Sequence, residues 1–101
     1  MRPEIESKRE RIAEICRKYH VRRLAVFGSA VRSDFDPKHS DIDLLLELGS
    51  TLETRAEDYF GFTREVEELF GRDVDIVESG AVKNRIVREE IDRTKVLLYA
   101  A

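Results

Sequence analysis

Val26-Phe27-Gly28-Ser29, followed after a polar stretch by Ser40-Asp41-Ile42-Asp43-Leu44-Leu45-Leu46, decides the fold of this 101-residue chain. The first apolar run ends in a Gly-Ser turn, and the second opens with aspartates at i and i+2. Side chains alternate along a strand, so Asp41 and Asp43 are expected on one face. Two carboxylates side by side repel each other, and a cation between them relieves that repulsion. Magnesium takes carboxylate oxygens together with substrate phosphates. A Gly-Ser turn presents backbone N–H groups that suit phosphate oxygens. Gly28, Ser29, Asp41 and Asp43 together describe a site for a metal-bound nucleoside triphosphate.

Outward from these runs, helices alternate with strands. Ile5, Ile12, Ile15, Cys16 and Tyr19 recur at helical spacing over residues 3–19, and Pro3 suits a first turn. Residues 24–27 read as a strand ended by Gly28, and Ser29 suits the cap of a short helix. Residues 33–40, with Pro37, read as a loop, and 41–48 as the second strand. A long helix is predicted over 54–70. A capping box at Thr54-Arg55-Ala56-Glu57 suits its start, with Ser50-Thr51-Leu52-Glu53 competing for that role, and it carries the stripe Tyr59, Phe62, Val66, Leu69 and Phe70. Gly71 can end it. Residues 73–77 form a third strand. The last helix is placed at 81–91 with Val82, Ile86, Val87 and Ile91 inward, and a final strand at 95–99. The pattern predicts an α+β class, with helices packed mainly on one face of a short mixed sheet. The length fits a single domain over residues 1–101.

Hydrophobic residues make up 42% of the chain, enough to fill one core. The net charge of -3 argues against a dedicated nucleic-acid binder, which shows a basic face. Arg22-Arg23 reads as a solvated pair before a strand. Cys16 is the sole cysteine, which excludes an intrachain disulfide and a thiolate zinc site and fits a reducing cytoplasm. Met1-Arg2-Pro3-Glu4 lacks the apolar region of a signal peptide, and no run approaches membrane-spanning length. A cytoplasmic location without a membrane partner is expected.

The motifs in this order resemble the nucleotidyltransferases of the DNA polymerase beta superfamily, whose signature is a Gly-Ser pair, a short spacer and Asp-x-Asp. The chain is most similar to the minimal nucleotidyltransferases, small prokaryotic proteins that often serve as antitoxins. Their loop usually reads Gly-Ser-x-Ala-Arg-Gly. Here it reads Gly28-Ser29-Ala30-Val31-Arg32-Ser33, with Arg32 at the arginine position and Ser33 in place of the glycine. The resemblance implies a polymerase beta-like fold and a third acid from a later strand. Gly71-Arg72-Asp73-Val74-Asp75-Ile76-Val77 supplies that acid at Asp75, with Asp73 as its local rival. Ile86-Val87-Arg88-Glu89-Glu90-Ile91 and Val96-Leu97-Leu98-Tyr99 resemble the subgroup's final helix and strand. The resemblance further implies that Asp41, Asp43 and Asp75 are metal ligands and catalytic acids. Gly28, Ser29 and Arg32 would hold the triphosphate of ATP. Two magnesium ions are implied, one activating an acceptor hydroxyl and one steadying the pyrophosphate.

The function expected on this basis is magnesium-dependent transfer of a nucleoside monophosphate, AMP from ATP, to a hydroxyl acceptor. The chain has no room for an added acceptor-binding domain, so a protein partner is expected to supply the acceptor. The subgroup implies a helical toxin of the HEPN type, modified on a tyrosine hydroxyl, with this chain as its antitoxin. Two readings compete. One is a non-catalytic antitoxin that neutralises its partner by occlusion, and the other is an aminoglycoside-type small-molecule nucleotidyltransferase. Self-association stays open. His39 follows Arg32 at the spacing of an Arg-x6-His ribonuclease motif, but Pro37 interrupts any long helix there and the match is read as chance. Phe60 falls beside the apolar stripe, where either a second protein or the sheet could cover it.

Overall fold

Val21–Phe27 (β1) and Ile42–Leu48 (β2) pair antiparallel at the centre of a four-stranded sheet, in a computed structural model that describes residues 3–28 and 42–101. Val96–Ala100 (β4) lies antiparallel on the other side of β1. Val74–Glu78 (β3) lies parallel to β2, and the strand order is β3-β2-β1-β4. A parallel pair needs a crossover, which Arg55–Phe70 (α3) supplies.

Alternation along β2 assigns the two faces. Ile42, Leu44 and Leu46 join Leu24, Val26 and Leu98 on one side. There they meet Ile5 of Pro3–Glu6 (α1), Ile12, Ile15 and Cys16 of Arg9–Lys18 (α2), and Phe62 and Val66 of α3. On the other side, Arg85–Thr94 (α4) seats Ile91 on Ala25 and Leu45. Helices α1 to α3 cover one face, in keeping with the α+β expectation, and α4 covers part of the other.

Local details depart from the sequence expectations for identifiable reasons. The helix expected over 3–19 is broken into α1 and α2 at Ser7 and Lys8. Ser7 Oγ donates to the Glu4 carbonyl at 3.1 Å there, and the Lys8 N–H bonds the Ile5 carbonyl at 3.1 Å. The capping box at Thr54 does not form: Thr54 makes no side-chain cap bond, and its hydroxyl lies 3.2 Å from that of Thr51. The cap that does form is Asn84, whose Oδ1 accepts from the N–H groups of Ile86 and Val87 at 2.9 and 3.1 Å. It starts α4 at Arg85, after a 3-10 turn at Ser79–Ala81, rather than at residue 81. Ile91 stays buried, but Ile86 and Val87 are 79% and 49% exposed, against the expectation that both face inward. Gly71 ends α3 in the left-handed conformation at φ 67, its N–H donating to the Glu67 carbonyl at 2.8 Å. Phe60 is 69% exposed, so the sheet does not cover it. The expected helix at Ser29 and the loop over 33–40 lie outside the described residues.

Asp58, in the first turn of α3, is the buried charged residue among those described. Its Oδ2 accepts from Ser50 Oγ and lies 3.0 Å from His20 Nδ1. His20 holds a left-handed φ of 58 between α2 and β1, and its carbonyl accepts from the Gly49 N–H at 2.7 Å. The acid therefore ties the start of α3 to both the entry of β1 and the exit of β2. Burial alone would raise its pKa, but the Ser50 hydroxyl and the His20 ring outweigh burial and hold the carboxyl below its usual range. A lowered folded pKa stabilises the fold above the unfolded value of about 3.9, and that stability is lost as pH falls through the folded value. Melting curves collected from about pH 6 down to about pH 2 should therefore fall less steeply for Asp58→Asn than for the parent. Parallel curves would remove Asp58 from the acid sensitivity of the fold.

Candidate active site

Strand pairing brings the acids of two separate sequence runs together. In the parallel pair Asp43 is the register partner of Asp75, and in the antiparallel pair it is the partner of Phe27. Register partners project from the same side of a sheet. Phe27, Asp43 and Asp75 thus form a row across β1, β2 and β3, on the face that seats Ile91. Asp43 is half-buried and Asp75 is exposed. Asp73 precedes β3 and lies outside the paired register. Of the two rival acids, the preferred Asp75 is the one beside Asp43. Pairing with β2 places it, not enclosure by its apolar neighbours.

Gly28 follows the last residue of β1 with φ at 72. A Cβ built on it would stand 2.4 Å from Asp43 Oδ2 and 3.4 Å from Cγ. Only glycine allows the backbone to turn there against the carboxylate. The Gly28 turn and the Asp43 carboxylate are therefore one piece of geometry. Two carboxylates on adjacent strands are hard oxygen donors aimed to one side, the donor set that magnesium takes. Among the described residues no larger cluster of potential metal ligands occurs. Ser29, Arg32 and Asp41, the remaining predicted site residues, lie outside them.

A groove of about 400 Å³ adjoins this row, lined by Phe27, Gly28, Ile86, Val87, Glu90, Ile91 and Thr94. Ile86 and Val87, expected in the core from their apolar spacing, lie in the first turn of α4 and line this groove instead. Asn84 was the available signal for the start of α4, since a cap there starts the helix one residue later. Cys16 belongs to the core, where burial pushes its thiol up to about 12 against the smaller opposing effect of Arg17. No helix among the described residues is long and apolar enough to cross a membrane.

The nucleotidyltransferase domain family matches residues 9–97. A Methanocaldococcus jannaschii protein, provisionally named a protein adenylyltransferase, is 36% identical over 75 residues, 74% of each chain. A solved structure provisionally named a minimal nucleotidyltransferase is 30% identical, with a TM-score of 0.72 over 90% of this chain and 89% of that one. The fold is also shared with a chain from the complex of tri-AMPylated Shewanella oneidensis HEPN toxin and MNT antitoxin. That likeness has a TM-score of 0.64 at 16% identity, over 96% of this chain and 73% of that one. The chain belongs to the nucleotidyltransferase domain family, as one of its minimal members.

Proposed function

We propose that this nucleotidyltransferase moves AMP from ATP onto a hydroxyl of a protein partner, with magnesium held by Asp43, Asp75 and Asp41. The observation that carries the reading is the Asp43–Asp75 pair with the Gly28 backbone packed against it. Transfer to phosphorus asks a protein mainly for positioning and for charge at the right place. The Gly28 turn, with Ser29 and Arg32 beyond it, orients the triphosphate. Asp75, at the exposed end of the row, orients the attacking hydroxyl. When bound, magnesium supplies the positive charge that offsets the phosphate oxygens. The acceptor O–P bond forms at the alpha-phosphate as the bond to pyrophosphate breaks.

The protein acceptor is supported by the relatives. The M. jannaschii protein is named for transferring AMP to protein, and the S. oneidensis HEPN toxin carries AMP in complex with an MNT antitoxin. A helical HEPN toxin, modified on a tyrosine hydroxyl in the cytoplasm, is the partner this reading assigns. Mass spectrometry of the chain co-expressed with its genomic neighbour tests it, and an AMP adduct on a partner tyrosine is expected. A second reading, neutralisation by binding alone, draws on the exposed Phe60 and Leu52, which offer a partner apolar surface whatever the chemistry. An unmodified partner, neutralised equally by an Asp41→Ala/Asp43→Ala variant, would leave occlusion as the better account.

Gly28→Ala probes the phosphate turn. The sequence alone suggests that even Gly28→Val spares the fold, but the left-handed φ adds a backbone cost of about 1 kcal/mol for any side chain. Alanine is the milder change and still drives a Cβ into the Asp43 carboxylate. Titration should show magnesium-ATP affinity reduced by roughly tenfold. Equal affinity in parent and variant would take the triphosphate role from Gly28.

A further inference from the structure

We propose that the groove between β1 and α4 holds the nucleobase of the bound nucleoside triphosphate, an assignment that rests on the nucleotide-transfer reading above. The groove opens at Gly28, the residue that packs against Asp43. Strand order puts β3 and Asp75 at one end of the row and β1 at the other. The groove therefore lies on the nucleotide side of Asp43, away from the side that Asp75 offers to the acceptor. A triphosphate lying along the Gly28 turn brings its nucleoside to this groove.

The walls suit the flat faces of a base. Phe27 supplies an aromatic ring, half-buried beside Ala25 and Leu45, and Ile86 and Val87 supply branched side chains. Those two residues are 79% and 49% exposed, with no core of their own to fill. Among the described lining residues, the polar side chains Thr94 and Glu90 are already engaged. Thr94 Oγ1 donates to the Glu90 carbonyl at 2.9 Å, and the Glu90 carboxylate is paired with Arg93. Contact is thus made with the base faces more than with the hydrogen-bonding edges. Stacking of this kind tolerates any base. The groove accordingly adds affinity for a nucleotide and little choice between ATP, GTP, CTP and UTP.

Calorimetric titration with magnesium-ATP and with magnesium-tripolyphosphate separates base from phosphates. In Ile86→Ser/Val87→Ser, both changes fall at exposed positions and neither alters charge. ATP affinity should fall by about tenfold while tripolyphosphate affinity stays within about twofold. Val87→Trp, which fills the groove, should lower ATP affinity and spare tripolyphosphate in the same way. ATP affinity unchanged in both variants would overturn the assignment, and so would equal losses for the two ligands. Unchanged ATP affinity with loss of the partner complex would give the groove to the partner protein instead. A parent chain that binds tripolyphosphate and ATP with equal affinity would also defeat the base site, leaving the phosphate site standing. A parent that binds neither would fell the nucleotide-transfer reading itself.

Discussion

Asp43→Asn and Asp75→Asn should each lower AMP transfer by roughly a thousandfold or more, with the fold intact. The two acids are register partners on parallel strands, so each substitution removes one hard, charged donor from a shared face. Asparagine keeps the shape of the side chain, and Asp75 is exposed, where substitutions usually change stability by less than about 0.5 kcal/mol. The two variants should differ in kind. Asp43 touches the Gly28 turn, so its loss should weaken nucleotide binding as well as turnover. Asp75 stands at the β3 end of the row, where the proposed function has it orient the acceptor, so its loss should damage turnover more than binding. Asp73→Asn should behave as the parent, because Asp73 precedes the paired register of β3. Asp41→Ala is expected to match the Asp43 variant. Labelled ATP and melting curves give both readouts. Full transfer in Asp75→Asn and none in Asp73→Asn would reverse the assignment of the third acid.

The strands and the long helix were legible because they depend on local spacing, whereas Asp75 was singled out by the resemblance to a family and not by spacing. Gly28 ends an apolar run, Asp43 opens one, and Asp75 sits inside another. What stayed hidden depends on contacts between distant residues. No spacing rule says that β3 pairs with β2 in the register that sets Asp75 beside Asp43, or that Phe27 completes the row. Asp58 looked like an ordinary acid in a first helical turn, and its partner His20 is 38 residues away. Thr54 and Asn84 are both acceptable caps by residue type, and which of them caps is decided by the geometry around each helix start. Asn84 starts α4 one residue before Ile86 and two before Val87, which line the groove proposed for the base beside Gly28.

Gly61→Ala should destabilise the domain by about 1–3 kcal/mol, although alanine is the better helix former by about 1 kcal/mol. Gly61 is buried in the middle of α3. A Cβ there would stand 2.3 Å from Cε1 and 2.8 Å from Cζ of the Tyr19 ring. The missing side chain is thus the socket that lets the end of α2 close onto α3. The ring has little freedom to retreat, because its hydroxyl donates to the Glu65 carboxylate, one turn further along α3. Glu65 also accepts from Lys18 Nζ at 2.8 Å, and Lys18 followed by Tyr19 holds its carboxyl below the usual range. Relieving the clash would mean giving up these bonds, so steric cost outweighs the gain in helix propensity. In a domain of this size the melting temperature falls by roughly 4–8 °C for each kcal/mol. If the socket is the cause, Tyr19→Ala/Gly61→Ala should lose less stability than the sum of the single variants. Additive losses, or a Gly61→Ala variant that melts no lower than the parent, would show that the ring can move aside. The Asp43–Asp75 row lies on the opposite face of the sheet from this seam. Folded Gly61→Ala protein should therefore bind magnesium-ATP as the parent does, which separates a packing defect from a lesion in the active site.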